Sequence, residues 1–324
     1  MARVPRTHHA TTPKIDLDAL FRAQRGIATR RQLLRAGLDD EAIRREVHGN
    51  RWQRLLPGLF ASFTGPPTDE HRRVAAAIYA PVGAQITGVA ALRWYGFRHL
   101  PDDDRIHLLI PHTSRRTSRG FVLFQRTDRL DSAAKRQGPY TVCSVARAVA
   151  DAARQLNDLR AVRALVAEAV QRRFTDVPSL RRELDAAQTH RTRLLRVAVN
   201  EVDQGVRSAP EAELAADLKT SSILPTVQWN PTLVADDGSE LPGPDGWIQE
   251  SGIALEVDSR EYHLNPEDWR RTIDRHNRLA AHGALVLHFT PSEIRRNRAR
   301  VRRIIETAHL ERISSGVKVS IRVA

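Results

Sequence analysis

Residues 253–257 read Ile-Ala-Leu-Glu-Val, an apolar run of strand length interrupted by one carboxylate, Glu256. A short apolar run bounded by turn signals reads as a strand. An ionised carboxylate inside such a strand is costly unless a cation or hydrogen-bond donors satisfy it. The run follows Ser251-Gly252, a turn signal, and before that a second short strand, Gly246 to Glu250. The sequence therefore predicts a hairpin with Asp245 at the mouth of its first strand. Asp258 lies two residues beyond Glu256, so both side chains leave the same face of the sheet. Three carboxylates converging on one sheet edge make a site for a hard divalent cation such as Mg²⁺. Asp245 and Glu256 are the candidate metal ligands.

This arrangement resembles the core of the PD-(D/E)xK nucleases, with Pro244-Asp245 as the "PD" and Glu256-Val257-Asp258 at the place of "(D/E)xK". The third position is Asp where the parent pattern has Lys. The very-short-patch-repair-like branch is the closer resemblance: an acidic residue, a hydrophobic residue, Asp-Gly, and a His a few residues on. Here that piece is Glu256-Val-Asp258-Ser-Arg-Glu-Tyr-His263, with Ser259 in place of Gly. Upstream, Ser208-Ala-Pro-Glu211-Ala-Glu213-Leu resembles the family's first helix, whose Glu points at the site. Downstream, the helix from Asp268 to Leu279, Gly283 and the apolar strand Ala284 to Thr290 continue the likeness, which covers the last third of the chain. The resemblance implies a restriction-endonuclease-like α/β domain with a mixed sheet, acting with Mg²⁺ or Mn²⁺. It adds Glu211 as ligand to a second metal or a metal-bound water, Asp258 as an extension of the cluster, and His263 as general acid or base. The role of the absent Lys falls to Arg260, Arg271 or Arg275, among which the sequence does not choose. His276 and Asn277 are supporting candidates.

Composition narrows the partner. The chain has 324 residues, 41% of them hydrophobic, enough for two or three domains with cores of their own. The formal net charge is +13, and arginine far outnumbers lysine. Such a balance suits a polyanion, with double-stranded DNA the first candidate. A GC-rich genome would also raise arginine throughout. Aromatic residues are 5% of the chain, which disfavours an RNA-stacking platform. The single cysteine, Cys143, excludes a disulfide framework and a cysteine-rich zinc site. No apolar run reaches membrane-spanning length, and the first residues lack an apolar signal core. A cytoplasmic protein with no membrane association is expected.

At the N-terminus, Asp16 to Arg25 reads as an amphipathic helix broken by Gly26. Thr29-Arg-Arg-Gln32 has the form of a capping box opening a second helix, which Gly37 closes. Asp39 caps a third helix, Asp40 to His48, ended by Gly49. Two short strands follow around Pro57-Gly58. Three helices and a hairpin predict a winged helix-turn-helix. Its third helix would offer Arg44, Arg45 and His48, and its wing Arg51 and Arg54, to DNA. A packing module with an ordinary charged face has the same pattern. Gly26-Ile-Ala-Thr-Arg-Arg-Gln-Leu, Ala36-Gly-Leu and Arg51-Trp-Gln-Arg-Leu-Leu-Pro-Gly-Leu-Phe resemble the N-terminal part of AbiEi-type antitoxin-like proteins, in which this element binds DNA.

The expected architecture is α/β multidomain: a flexible tail over 1–14, a winged helix-turn-helix over 15–63, an α+β antitoxin-like middle region over 64–190, and a restriction-endonuclease-like domain over 191–324. A basic stretch, Arg295 to Arg303, is expected to be the closing helix, with Ile294, Val301, Ile304 and Ile305 inward. Two functions compete: a metal-dependent DNA endonuclease, and a non-catalytic DNA-binding regulator with an inactive nuclease fold. A homodimer or a toxin-like partner stays open for either.

Overall fold

A computed structural model describes residues 16–187, 191–258 and 266–324. It is a mixed α/β structure that divides into two compact units, Met1–Ala152 and Ala153–Ala324.

The first unit begins with α1 (Leu17–Ala23), β1 (Ile27–Thr29), α2 (Arg30–Arg35), α3 (Asp40–His48), β2 (Gln53–Leu56) and β3 (Leu59–Ala61). Side chains satisfy the orphan amides of all three helix starts: Asp16 accepts from Asp18 and Ala19, Thr29 and Gln32 form the capping box, and Asp39 accepts from Ala42. The strands form an antiparallel sheet in the order β1-β3-β2. Ala28, Leu33, Ile43 and Phe60 are its core, and Phe21 meets Trp52 edge-on at 5.5 Å. Strand β1 was not expected from the sequence. Three residues are too few for periodicity to show, and pairing with β3 is what makes it a strand.

After these come α4 (Asp69–Tyr79), β4 (Gln85–Thr87), α5 (Gly88–Trp94), β5 (Ile106–Pro111), β6 (Val122–Thr127), β7 (Lys135–Gln137), β8 (Tyr140–Val142) and α6 (Val145–Ala153). The sheet runs β6-β5-β4-β8-β7, with parallel β5–β6 and β4–β8 pairs. The central strand, β4, was hidden in the sequence by its polar ends. Gln85 exchanges hydrogen bonds with the Asp131 backbone, and Thr87 donates to Asp151 at 2.7 Å. Satisfied in this way, polar residues sit in a sheet interior without penalty.

The second unit contains α7 (Leu159–Gln171), α8 (Val177–Asp185), α9 (Arg193–Asp203), α10 (Ala209–Leu218), β9 (Gln228–Trp229), β10 (Leu233–Ala235), β11 (Glu240–Leu241), β12 (Gly246–Ile248), β13 (Ile253–Val257), α11 (Pro266–Ala281), β14 (Leu285–Phe289), α12 (Pro291–Arg296), α13 (Arg298–Ser314) and β15 (Ile321–Val323). Helix α7 packs on α9 and α10, and α8 on α9. Helices α7 and α8 fall in the second compact unit.

The main sheet is β14-β13-β12-β9, with β13 and β14 parallel and the other pairs antiparallel. Ile253 and Leu255 face a core with Leu214 of α10, Ile294 of α12, and Val301 and Ile305 of α13. Ala254 faces the opposite core with Trp247 and Leu279 of α11. Burial on both faces explains why β13 is apolar without alternation. Strand β12 stops at Ile248, two residues earlier than expected, and a turn carries the chain to Gly252. Gly252 has φ +59°, and a Cβ there would lie 2.3 Å from Val319.

Two expectations are corrected at the C-terminus. The basic stretch is two helices broken at Asn297, and the last element is β15, paired with β10. Ile304, expected inside, is 37% exposed, about 100° around α13 from the buried Ile305 and so off the stripe that Val301, Ile305 and His309 bury.

Candidate functional site

Strand β13 is the spine of the site. Gly246 lies opposite Leu255 and Trp247 opposite Ala254. Continuing that register puts Asp245 opposite Glu256, on the face shared by Ala254 and Trp247. Asp245 Oδ2 accepts the Val257 amide at 2.7 Å, completing the ladder where β12 begins. The approach to Asp245 is tight: a Cβ on Gly243 would come within 2.3 Å of the Pro231 carbonyl oxygen.

Glu256 is 1% exposed. Its Oε2 accepts from the Arg275 guanidinium at 2.6 Å. Its Oε1 is buried and has no hydrogen-bond partner among the described residues. Burial pushes the Glu256 carboxyl up to about 8, against the pull of Arg275 and with the repulsion of Asp245 and Asp258. Nε2 of His276, also buried and without a partner among the described residues, stands 3.7 Å from Oε1, too far for a hydrogen bond. Burial, together with His288 and Arg275, pushes His276 down to about 4, so its ring is neutral.

His288, on β14 directly beside Glu256 in the parallel register, holds Asp258 through Nδ1 at 2.7 Å. That bond raises the imidazole above its ordinary value. The His276 and His288 rings meet edge to face, with centroids 4.4 Å apart. Glu211, at the third position of α10, is 6% exposed. It accepts from the Arg207 amide at 2.9 Å and from Asn230 Nδ2 at 2.8 Å. Asn230 in turn donates its amide to the Asp245 carbonyl. Burial and the Asp245 charge raise Glu211, and burial above all raises Asp245.

Glu211, Asp245, Glu256 and Asp258 thus form one chain of mutually repelling carboxylates around the end of β13. They do not close on a single point: among the described residues no group of three His, Cys, Asp or Glu side chains is disposed to hold a metal ion. Of the candidates for the absent Lys, Arg275 is the one on Glu256. His263, Arg260 and the side chain of Arg271 lie outside the described residues. Sequence reasoning missed His288, whose signal was a titratable residue interrupting the apolar run Leu-Val-Leu-His-Phe. It also missed Asn230, which no local pattern marks.

In the first unit, Arg44 pairs with Glu41 at 3.1 Å, and Arg51 binds Glu46 through Nε at 2.7 Å and a terminal nitrogen at 2.9 Å. His48 Nδ1 donates to the Arg44 carbonyl at 2.8 Å. Arg54 lies over the Phe60 ring at 5.9 Å, and Arg45 is exposed. Exposed ion pairs of this kind are weak, so they hold Arg44 and Arg51 only loosely.

Residues 16–62 match the family model of the transcriptional regulator AbiEi antitoxin. The matched span takes in α1 to β3, the three helices and the antiparallel sheet that carry these arginines. No curated protein matches the chain. Among the described residues, no helix is long and apolar enough to cross a membrane.

Proposed function

We propose that this chain is a DNA-binding protein whose C-terminal part hydrolyses phosphodiester bonds with a divalent cation. In this reading residues 15–63 are a winged helix that docks on double-stranded DNA in the cytoplasm, and 64–190 are the antitoxin-like middle region. Residues 191–324 are a restriction-endonuclease-like domain. The match of residues 16–62 to a transcriptional-regulator family supports the first part. The observation that carries the second is the carboxylate chain around β13, with the buried Oε1 of Glu256, without a hydrogen-bond partner among the described residues, at its centre.

The donor set fits Mg²⁺ or Mn²⁺. Magnesium is commonly held by one or two carboxylates plus waters and substrate phosphate, so a cage of three protein ligands is not required. Asp245 and Glu256 would hold the ion, with Glu211 reaching a second ion or a bound water. When bound, the ion supplies Lewis acidity to the phosphoryl group and acidifies a water. Arg275 would turn from Glu256 to the scissile phosphate, filling the place of the absent Lys. Asp258 fixes His288, a proton-exchanging group beside the carboxylates. His263 would be a further acid or base.

A second reading, a regulator with an inactive nuclease fold, draws on the Glu256–Arg275 pair, since an arginine can neutralise a buried carboxylate with no metal. Incubating purified protein with supercoiled plasmid and Mg²⁺ or Mn²⁺, with and without chelator, separates the two. Nicked or linear product only in the metal lanes supports the nuclease. Intact plasmid throughout, with duplex binding retained, supports the regulator.

A further inference from the structure

We infer that the exposed arginines at the α12–α13 junction, Arg295, Arg296, Arg298 and Arg303, form the surface along which a nucleic-acid backbone reaches the carboxylates at the end of β13. The inference rests on the nuclease reading above. Between 295 and 305 the chain carries six arginines and no carboxylate. Arg302 is engaged inside the unit, by Asp217 at 3.2 Å and Thr220 at 2.6 Å. Arg300 stands 3.9 Å from Glu293. The other four are exposed, and no hydrogen bond or ion pair among the described residues engages them.

Their place in the fold gives this charge a direction. The Asp258 amide donates to the Phe289 carbonyl at 3.0 Å. Thr290 follows, and with Glu293 it forms the capping box that starts α12 at Pro291. The basic helices therefore leave the sheet at the strand end that carries Asp258. Arg295 lies about 8 Å of helical rise beyond Thr290. Ile294, Val301 and Ile305 are buried in the core under β13 and anchor both helices. The arginines are thus presented by a fixed scaffold.

Four exposed arginines that no carboxylate among the described residues engages call for a polyanion, and the guanidinium fork matches phosphate oxygens. A nucleic-acid backbone is favoured over an anionic membrane because the patch adjoins a carboxylate cluster, which a phosphodiester substrate would have to reach. Of the exposed hydrophobic residues on α13, only Ile304, at 37%, adjoins the arginines; the more exposed Leu310 and Ile313 lie toward its other end. Backbone interactions of this kind position a duplex without reading its sequence.

The test uses the full chain with Arg44→Ala and Arg45→Ala, so that binding through the first unit is reduced. Affinity for a short fluorescent duplex is measured over a salt series in chelator. Adding R295Q, R296Q, R298Q and R303Q should flatten the plot of log affinity against log salt by about 0.9 for each side chain that reaches a phosphate. Lysine at the same four positions should keep most of the slope. The single variant Arg303→Gln, with its smaller drop, guards against a folding defect in the multiple one. An unchanged slope in the glutamine variants overturns the inference. So does tighter binding of the parent to anionic phospholipid vesicles than to duplex. Plasmid cleavage by the wild type, run in parallel, keeps the two readings apart. A flattened slope without cleavage retains the surface and removes the nuclease, and cleavage with an unchanged slope does the reverse.

Discussion

Oε1 of Glu256 and Nε2 of His276 face each other 3.7 Å apart, both buried and neither hydrogen-bonded among the described residues. Buried polar atoms are rarely left in this state. Here burial drives the two groups in opposite directions, the carboxyl up to about 8 and the imidazole down to about 4. Each is pushed toward its neutral form. A cation entering between the carboxylates would reverse the preference of Glu256.

The first prediction concerns pH. Glu256 is raised from 4.5 to about 8 on folding. Between those values the folded chain keeps a proton that the unfolded chain releases, so the contribution of Glu256 to stability falls as pH rises. Glu256→Gln should therefore melt above the metal-free wild type at pH 8, by on the order of 1–3 kcal/mol, and the advantage should shrink toward pH 5. Thermal melts in chelator across that range check it. A mutant that melts below wild type at pH 8 makes Glu256 a structural ion-pair residue.

Arg275 answers a different question. Its guanidinium is partly wet, while the carboxylate it holds is enclosed, with side-chain exposures of 35% and 2%. Arg275→Met should cost on the order of 1 kcal/mol at pH 9, where Glu256 is ionised and loses its compensating charge, and little near neutral pH, where Glu256 keeps its proton. In combination with Glu256→Gln most of that loss should disappear. A double-mutant cycle by denaturant unfolding measures it, and strict additivity would show that the pair is not coupled.

His288 should titrate above an ordinary histidine, because Asp258 accepts from the ring and favours its charged form. The stabilisation is present below the unfolded value and is lost as pH rises through the folded one. Asp258→Asn should bring the His288 midpoint down, as followed by NMR of the imidazole nitrogens. No movement in the Asn variant would remove Asp258 as the cause.

In the first unit, Arg44→Ala with Arg45→Ala should weaken duplex binding and lower its salt dependence by about one counterion for each phosphate left without its arginine. Filter binding over a salt series reads this directly. Equal slopes would exclude α3 as the docking helix.

Much of this was legible in the sequence because the signals were local. Thr29 and Gln32 announced a helix start, and the capping box is present. Ile253 to Val257 announced a strand, and the observed strand has those ends. What stayed hidden depends on partners distant along the chain. Strands β1 and β4 are three residues long and exist through pairing with β3, β5 and β8. His288 reaches Asp258 only because β14 lies parallel to β13, which no spacing in the sequence encodes. The assignment of Arg275 to Glu256 likewise needed the packed helix, since three arginines were equally eligible from spacing alone. Glu211, Asp245, Glu256 and Asp258 lie around one strand end, and their spread there, rather than onto one point, could not be read from spacing.

The most direct test of the central claim is plasmid cleavage by wild type and Glu256→Gln side by side, at matched DNA binding and saturating Mn²⁺. A metal-dependent nuclease centred on Glu256 predicts product from the wild type only with metal. It also predicts a loss of at least about a hundredfold in the variant, equivalent to roughly 3 kcal/mol of transition-state stabilisation. Equal cleavage by both proteins, or none by either while both bind duplex, would contradict it.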